Sequence, residues 1–113
     1  MLKTHIKNSY ILHVKDMDDG RNELLASVLF GEVITDETNR YKHGFRVITS
    51  PVISQSYSQF KTQTGNLYIV DEKSKALTIS ANEWVLMKEN LLSPSELLTL
   101  RNSTYSTLNC IQH

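Results

Sequence analysis

The sequence predicts an α+β protein that is mainly β: a curved antiparallel sheet or small open barrel, with two short C-terminal helices. Three observations carry that reading. Val, Ile, Tyr and Thr in period-two patterns fill the first two-thirds of the chain, as half-buried strands require. Two Ser-x-x-Glu boxes, at Ser80–Glu83 and Ser93–Glu96, stand near the end, where serine and glutamate can satisfy each other's free backbone N–H groups at a helix start. Several strands are apolar at successive positions, and such strands need cover on both faces.

Tyr10, Leu12 and Val14 alternate through Ser9–Lys15, and the following Asp16-Met17-Asp18-Asp19-Gly20 supplies turn chemistry. Leu24–Thr35 reads as a long strand in which Gly31 marks a bulge or a close approach. A helix over Glu23–Phe30 is the alternative, because a short apolar run does not fix its own period. A loop over Asp36–Gly44 precedes a strand over Phe45–Gln55, where Pro51 demands an edge or a bend. Phe60–Val70 is interrupted by Thr64-Gly65-Asn66, and Leu77–Ser80 forms the last strand. Trp84, Met87 and Leu91 then recur at helical spacing, as do Leu97, Leu98 and Arg101. Residues 102–113 read as a polar tail that adds a strand or frays.

At 113 residues the chain suits one domain. Its 40% hydrophobic content and 21% charged content exclude a disordered or fibrous class. No apolar run approaches the ~20 residues of a membrane span, and the start, Met1–Asn8, carries no leader-like apolar region. A lone cysteine, Cys110, cannot pair within the chain and suits a reducing, cytoplasmic setting.

Signatures of catalysis are missing. Four glycines, at 20, 31, 44 and 65, make no phosphate loop, dinucleotide fingerprint or nucleophile elbow. Neither C-x-x-C nor H-E-x-x-H occurs, and His5, His13, His43 and His113 are scattered, so no metal and no cofactor is expected. Asp16, Asp18 and Asp19 resemble a calcium loop only until Gly20 is set at loop position six, which leaves Lys15, Met17 and Ala26 at liganding positions. Asp36 and Glu37 are adjacent and would point to opposite faces of a strand, which does not suit paired acid–base work. The chain therefore leans away from an enzyme.

Charge is balanced overall, with 12 basic and 12 acidic groups, but unevenly spread. Residues 38–66 hold Arg40, Lys42, Arg46 and Lys61 and no acid at all. Tyr41, Phe45, Tyr57 and Phe60 are interleaved with them. Basic groups with ring faces suit a phosphate backbone and stacked bases, yet a net charge of zero is poor footing for a strong nucleic-acid binder. Arg40, Tyr41, Lys42, Arg46, Tyr57 and Lys61 are the candidate binding residues. The plainer reading, which outweighs binding, makes Phe45 and Phe60 core and the charges solvated or answering nearby acids.

Gly31-Glu32-Val33-Ile34-Thr35-Asp36, then Asn39-Arg40-Tyr41, Gly44 and Val47-Ile48-Thr49-Ser50-Pro51-Val52, with Thr64–Tyr68 downstream, resemble a pattern in small bacteriophage and integron gene-cassette proteins of unknown function. That resemblance implies a bacterial mobile-element origin and a mostly β fold, and it brings no activity. The residues themselves suggest a structured hairpin in which Gly44 takes a positive φ and Arg40 ties the loop to Asp36. The expected role is a non-enzymatic binding protein whose partner is another protein or a second copy of itself. A weak nucleic-acid-binding module using the basic segment is the alternative.

Overall fold

The computed structural model describes residues 1–17 and 22–111, and side chains as far as residue 103. The turn expected around Asp18–Gly20, the Cys110 side chain and His113 lie outside that description. Seven strands precede two helices: β1 (Lys3–Asp16), β2 (Glu23–Asp36), β3 (Arg46–Ile48), β4 (Val52–Ser56), β5 (Gln59–Thr62), β6 (Leu67–Val70), β7 (Lys75–Ser80), α1 (Ala81–Asn90) and α2 (Pro94–Ile111). Leu24–Thr35 is thus strand, and the helical alternative over Glu23–Phe30 is not formed. Pro51 separates β3 from β4, as its missing N–H and fixed φ require.

The strands form one curved, unclosed sheet in the order β3-β2-β1-β6-β5-β4, with β7 also on β1. The hairpin pairings are antiparallel as expected, but the sheet is mixed, because β6 and β7 both run parallel to β1. They share one edge of β1 in succession. Lys3–Ile6 takes β6 and Tyr10–Lys15 takes β7. Residues 71–74 therefore need no crossover; they step along the edge from one pairing to the next.

That step coincides with a bulge. The register against β2 slips between Lys7 and Tyr10, and Asn8 takes a left-handed φ of 52°. An inserted residue reverses which side chains face which way. Ile6 accordingly packs with Leu29, Val33, Val47, Phe60, Tyr68 and Val70 on one face. Leu12 and Val14 pack with Val28, Phe30, Ile79, Met87 and Leu97 on the other. Without the bulge, Ile6, Leu12 and Val14 would share a face. The Ser9 hydroxyl, 2.6 Å from that of Ser74, ties the bulge to the 71–74 link.

Each face has its own cover, which answers the two-sided apolar strands. Sheet curvature encloses the Phe60 face, and the helices close the Leu12 face through Met87 and Leu97. Both capping boxes form. Ser80 accepts from the Glu83 N–H at 3.1 Å and its own N–H reaches Glu83 at 3.0 Å. Ser93 and Glu96 do the same at 3.2 and 2.9 Å. Arg101 grips Glu83 with two bonds of 2.9 and 2.8 Å, fastening α2 to the start of α1. α2 continues helical through residues 102–111, where the sequence suggested a tail. Among the described residues no helix is long and apolar enough to cross a membrane.

Candidate binding surface on the β4–β5 hairpin

The six sequence-predicted residues divide between two places and one internal tie. Arg40, Tyr41 and Lys42 belong to the loop after β2, which is organised by Asp36. Its carboxylate accepts from Thr4 Oγ1, the Thr38 hydroxyl and the N–H groups of Thr38, Arg40 and Tyr41, all at 2.6–2.9 Å. Partial burial pulls the Asp36 pKa up, but bonds from Thr38, Thr4 and Tyr41 outweigh it and hold the group far below the usual carboxylate range. Arg40 is tied to Asp36 as expected, but by its backbone N–H. Its guanidinium instead bonds Thr38 Oγ1 at 2.9 Å and lies 4.9 Å above the Tyr41 ring.

Tyr41 is half-buried and stacks on Phe45 at 5.4 Å. Its hydroxyl and Arg40 also meet the buried Tyr68 phenol, whose pKa is raised by burial and by Tyr41 against the lowering pull of Arg40. The loop is therefore knitted to β6; the Arg40 guanidinium is held by Thr38 and the Tyr41 ring, while Lys42 is exposed and makes no ion pair among the described residues. Arg46 is spent inside the molecule: it donates to Glu96 at 2.5 Å and to the Leu91 carbonyl at 3.1 Å, pinning β3 to the start of α2.

Tyr57 and Lys61 stand elsewhere, on the β4–β5 hairpin. β4 is the last strand of the sheet, and among the described residues nothing pairs with its outer edge. Ile53 through Ser56 are all exposed and carry no charge. Sheet edges are commonly blunted with charge, proline or a bulge; β4 has no charge or proline, and its irregularity between Val52 and Ser54 leaves Ser54–Ser56 as the regular stretch. Ser56 and Gln59 close a two-residue turn, so their N–H and C=O groups face each other and those of Gln55 face outward. Tyr57 occupies the first turn position at φ 54°, while Ser58 is not in the left-handed region. A type II′ hairpin reserves that position for glycine. The tyrosine held there is 98% exposed, so its side chain has no packing to offset the strain.

Beside the hairpin, on the concave face, lies a cavity of about 310 Å³. Ile11, Phe60 and Val70 floor it, Gln55 and Tyr57 form one rim, and residues 71–74 form the other. Lys61 follows Phe60 in β5 and so points to the opposite face. It is exposed and makes no ion pair among the described residues. The Gln55 rim and the 71–74 rim were not legible in the sequence. They meet only because β6 and β7 share an edge of β1.

A second, wider groove of about 660 Å³ opens over the β1 bulge, between residues 71–75 and the start of α2. Lys7, Lys73 and Lys75 mix there with Glu32, Asp71 and Glu72. The adjacent helix start is already filled by its own Glu96. Across β1 and β2, the His13 ring lies 2.9 Å from Ser27 Oγ, but neither residue lines this groove or the hairpin cavity. Among the described residues no cluster of three His, Cys, Asp or Glu side chains is placed to hold a metal ion.

No protein-family model matches the chain, no curated protein is significantly similar to it, and no solved structure matches its fold at a significant level. The site is therefore read from its own geometry.

Proposed function

We propose that this is a non-enzymatic interaction protein that binds another protein through the β4–β5 hairpin. One observation carries the reading: β4 offers an uncharged edge that nothing pairs with among the described residues, exposed from Ile53 to Ser56, with Ile53 59% and Tyr57 98% exposed. An extended segment of a partner can add to such an edge by main-chain hydrogen bonds, without any catalytic group. A host or element-encoded protein is the partner this reading proposes. The nucleic-acid alternative draws less support, because Arg46 is engaged with Glu96 and Arg40 with Thr38 and Tyr41.

The test is an affinity pull-down from bacterial lysate, run with and without nuclease, using the native chain and Gln55→Pro. Proline removes the outward N–H of Gln55 while suiting an edge strand. A protein retained after nuclease by the native chain and lost by Gln55→Pro supports the reading. Retention by both chains overturns the use of this edge, and loss of all bound material on nuclease treatment transfers the function to nucleic acid.

A further inference from the structure

We infer that the segment docking on β4 carries an apolar residue next to an acidic one, the apolar side chain entering the cavity floored by Phe60 and the acidic one meeting Lys61. This rests on the strand-addition reading above and specifies its partner. A residue added opposite Gln55 shares its outward hydrogen bonds and therefore its face. That face holds the 310 Å³ cavity with Ile11, Phe60 and Val70 below. It accepts a leucine-sized side chain over this apolar floor, with Asp71, Glu72 and Lys73 on its far rim.

The neighbouring residue of the added strand lies opposite Ser54, which pairs with Lys61. Two strand spacings of ~4.8 Å separate it from Lys61, within the combined reach of a lysine and a glutamate. Lys61 has no ion pair among the described residues, and the whole of 38–66 contains no acid to supply one. The two faces of the docked strand thus have opposite demands. A second copy fits less well: β4 pairing with itself brings two acid-free hairpins together, each with its own Lys61.

The probes are three end-capped synthetic hexapeptides, alternating leucine with glutamate, leucine with lysine, and serine with glutamate. Each is titrated into isotope-labelled full-length chain, following backbone amide resonances. The leucine–glutamate peptide is expected to shift Ser54–Ser56 amides and bind about tenfold tighter than either control. Lys61→Glu is expected to reverse the preference between the two leucine peptides. Equal binding of those two peptides at β4 overturns the acidic specificity and leaves strand addition standing. Failure of every peptide to move β4 amides overturns both. Concentration-dependent β4 shifts without peptide assign the edge to a second copy and overturn the inference.

Discussion

Ile6 lies directly over Gly31 across the β1–β2 ladder, so that a Cβ built on the glycine would fall 2.8 Å from Ile6 Cβ. Real Cβ atoms do not approach so closely, and Ile6 is fully buried with no room to retreat. Gly31→Ala should destabilise the fold by about 2–3 kcal/mol, the cost of overpacking a tight core. Urea unfolding measures it, and because Ile6→Ala removes only the Cγ1 and Cδ1 part of the contact, the two substitutions should combine less than additively. An unchanged midpoint in Gly31→Ala would show that the strands are not held this close.

Asp36 should set part of the acid sensitivity. Its folded pKa lies below the unfolded value of about 4. Its contribution is therefore fully present above that value and is lost as pH falls below it. Asp36→Ala should cost about 2–3 kcal/mol at neutral pH, since the Thr4 hydroxyl is buried and loses its acceptor. Chemical denaturation from pH 7 to pH 3 checks both statements. The variant's curve should be flatter, though still sloping, because Glu37, Glu83 and Glu96 are lowered as well.

Tyr57→Gly should separate stability from binding. The side chain is 98% exposed, so removing it sacrifices almost no contact, and glycine relieves the left-handed backbone. The gain should be at most about 1 kcal/mol, because glycine also loses more entropy on folding. Partner retention in the pull-down should fall. A variant that is less stable, or that binds as the native chain does, would remove Tyr57 from the site.

Local chemistry was legible in the sequence where neighbours decide the outcome. Ser80, Ser93 and their glutamates cap helices because their partners are three residues away, and Pro51 interrupts a strand wherever it falls. The bulge at Asn8–Ser9 was not legible. No Gly or Pro announces it, and Asn8 takes its left-handed backbone at the point where β6 gives way to β7 beside it. For the same reason the candidate site was read in part. Tyr57 and Lys61 were visible as an aromatic and a cation in an acid-free stretch, but nothing local showed that they stand apart from Arg40 and Lys42. Arg46 looked available for a ligand because its acceptor, Glu96, lies 50 residues along the chain.

Arg46 should therefore behave as a fold residue. Its guanidinium holds both the Glu96 carboxylate and the Leu91 carbonyl, and Leu91 ends α1 in a left-handed conformation at φ 49°. Arg46→Ala should lower Tm by about 3–6 °C, and the loss should shrink in high salt because both ionic partners are partly exposed. Glu96→Gln offers the comparison: its amide oxygen can still cap Ser93, while the charge facing Arg46 is gone. If the ion pair carries the effect, the two variants lose similar stability at low salt and converge on the native chain at high salt. Peptide binding at β4 should be unchanged in both. A drop in binding without a drop in Tm for Arg46→Ala would return this residue to the binding surface.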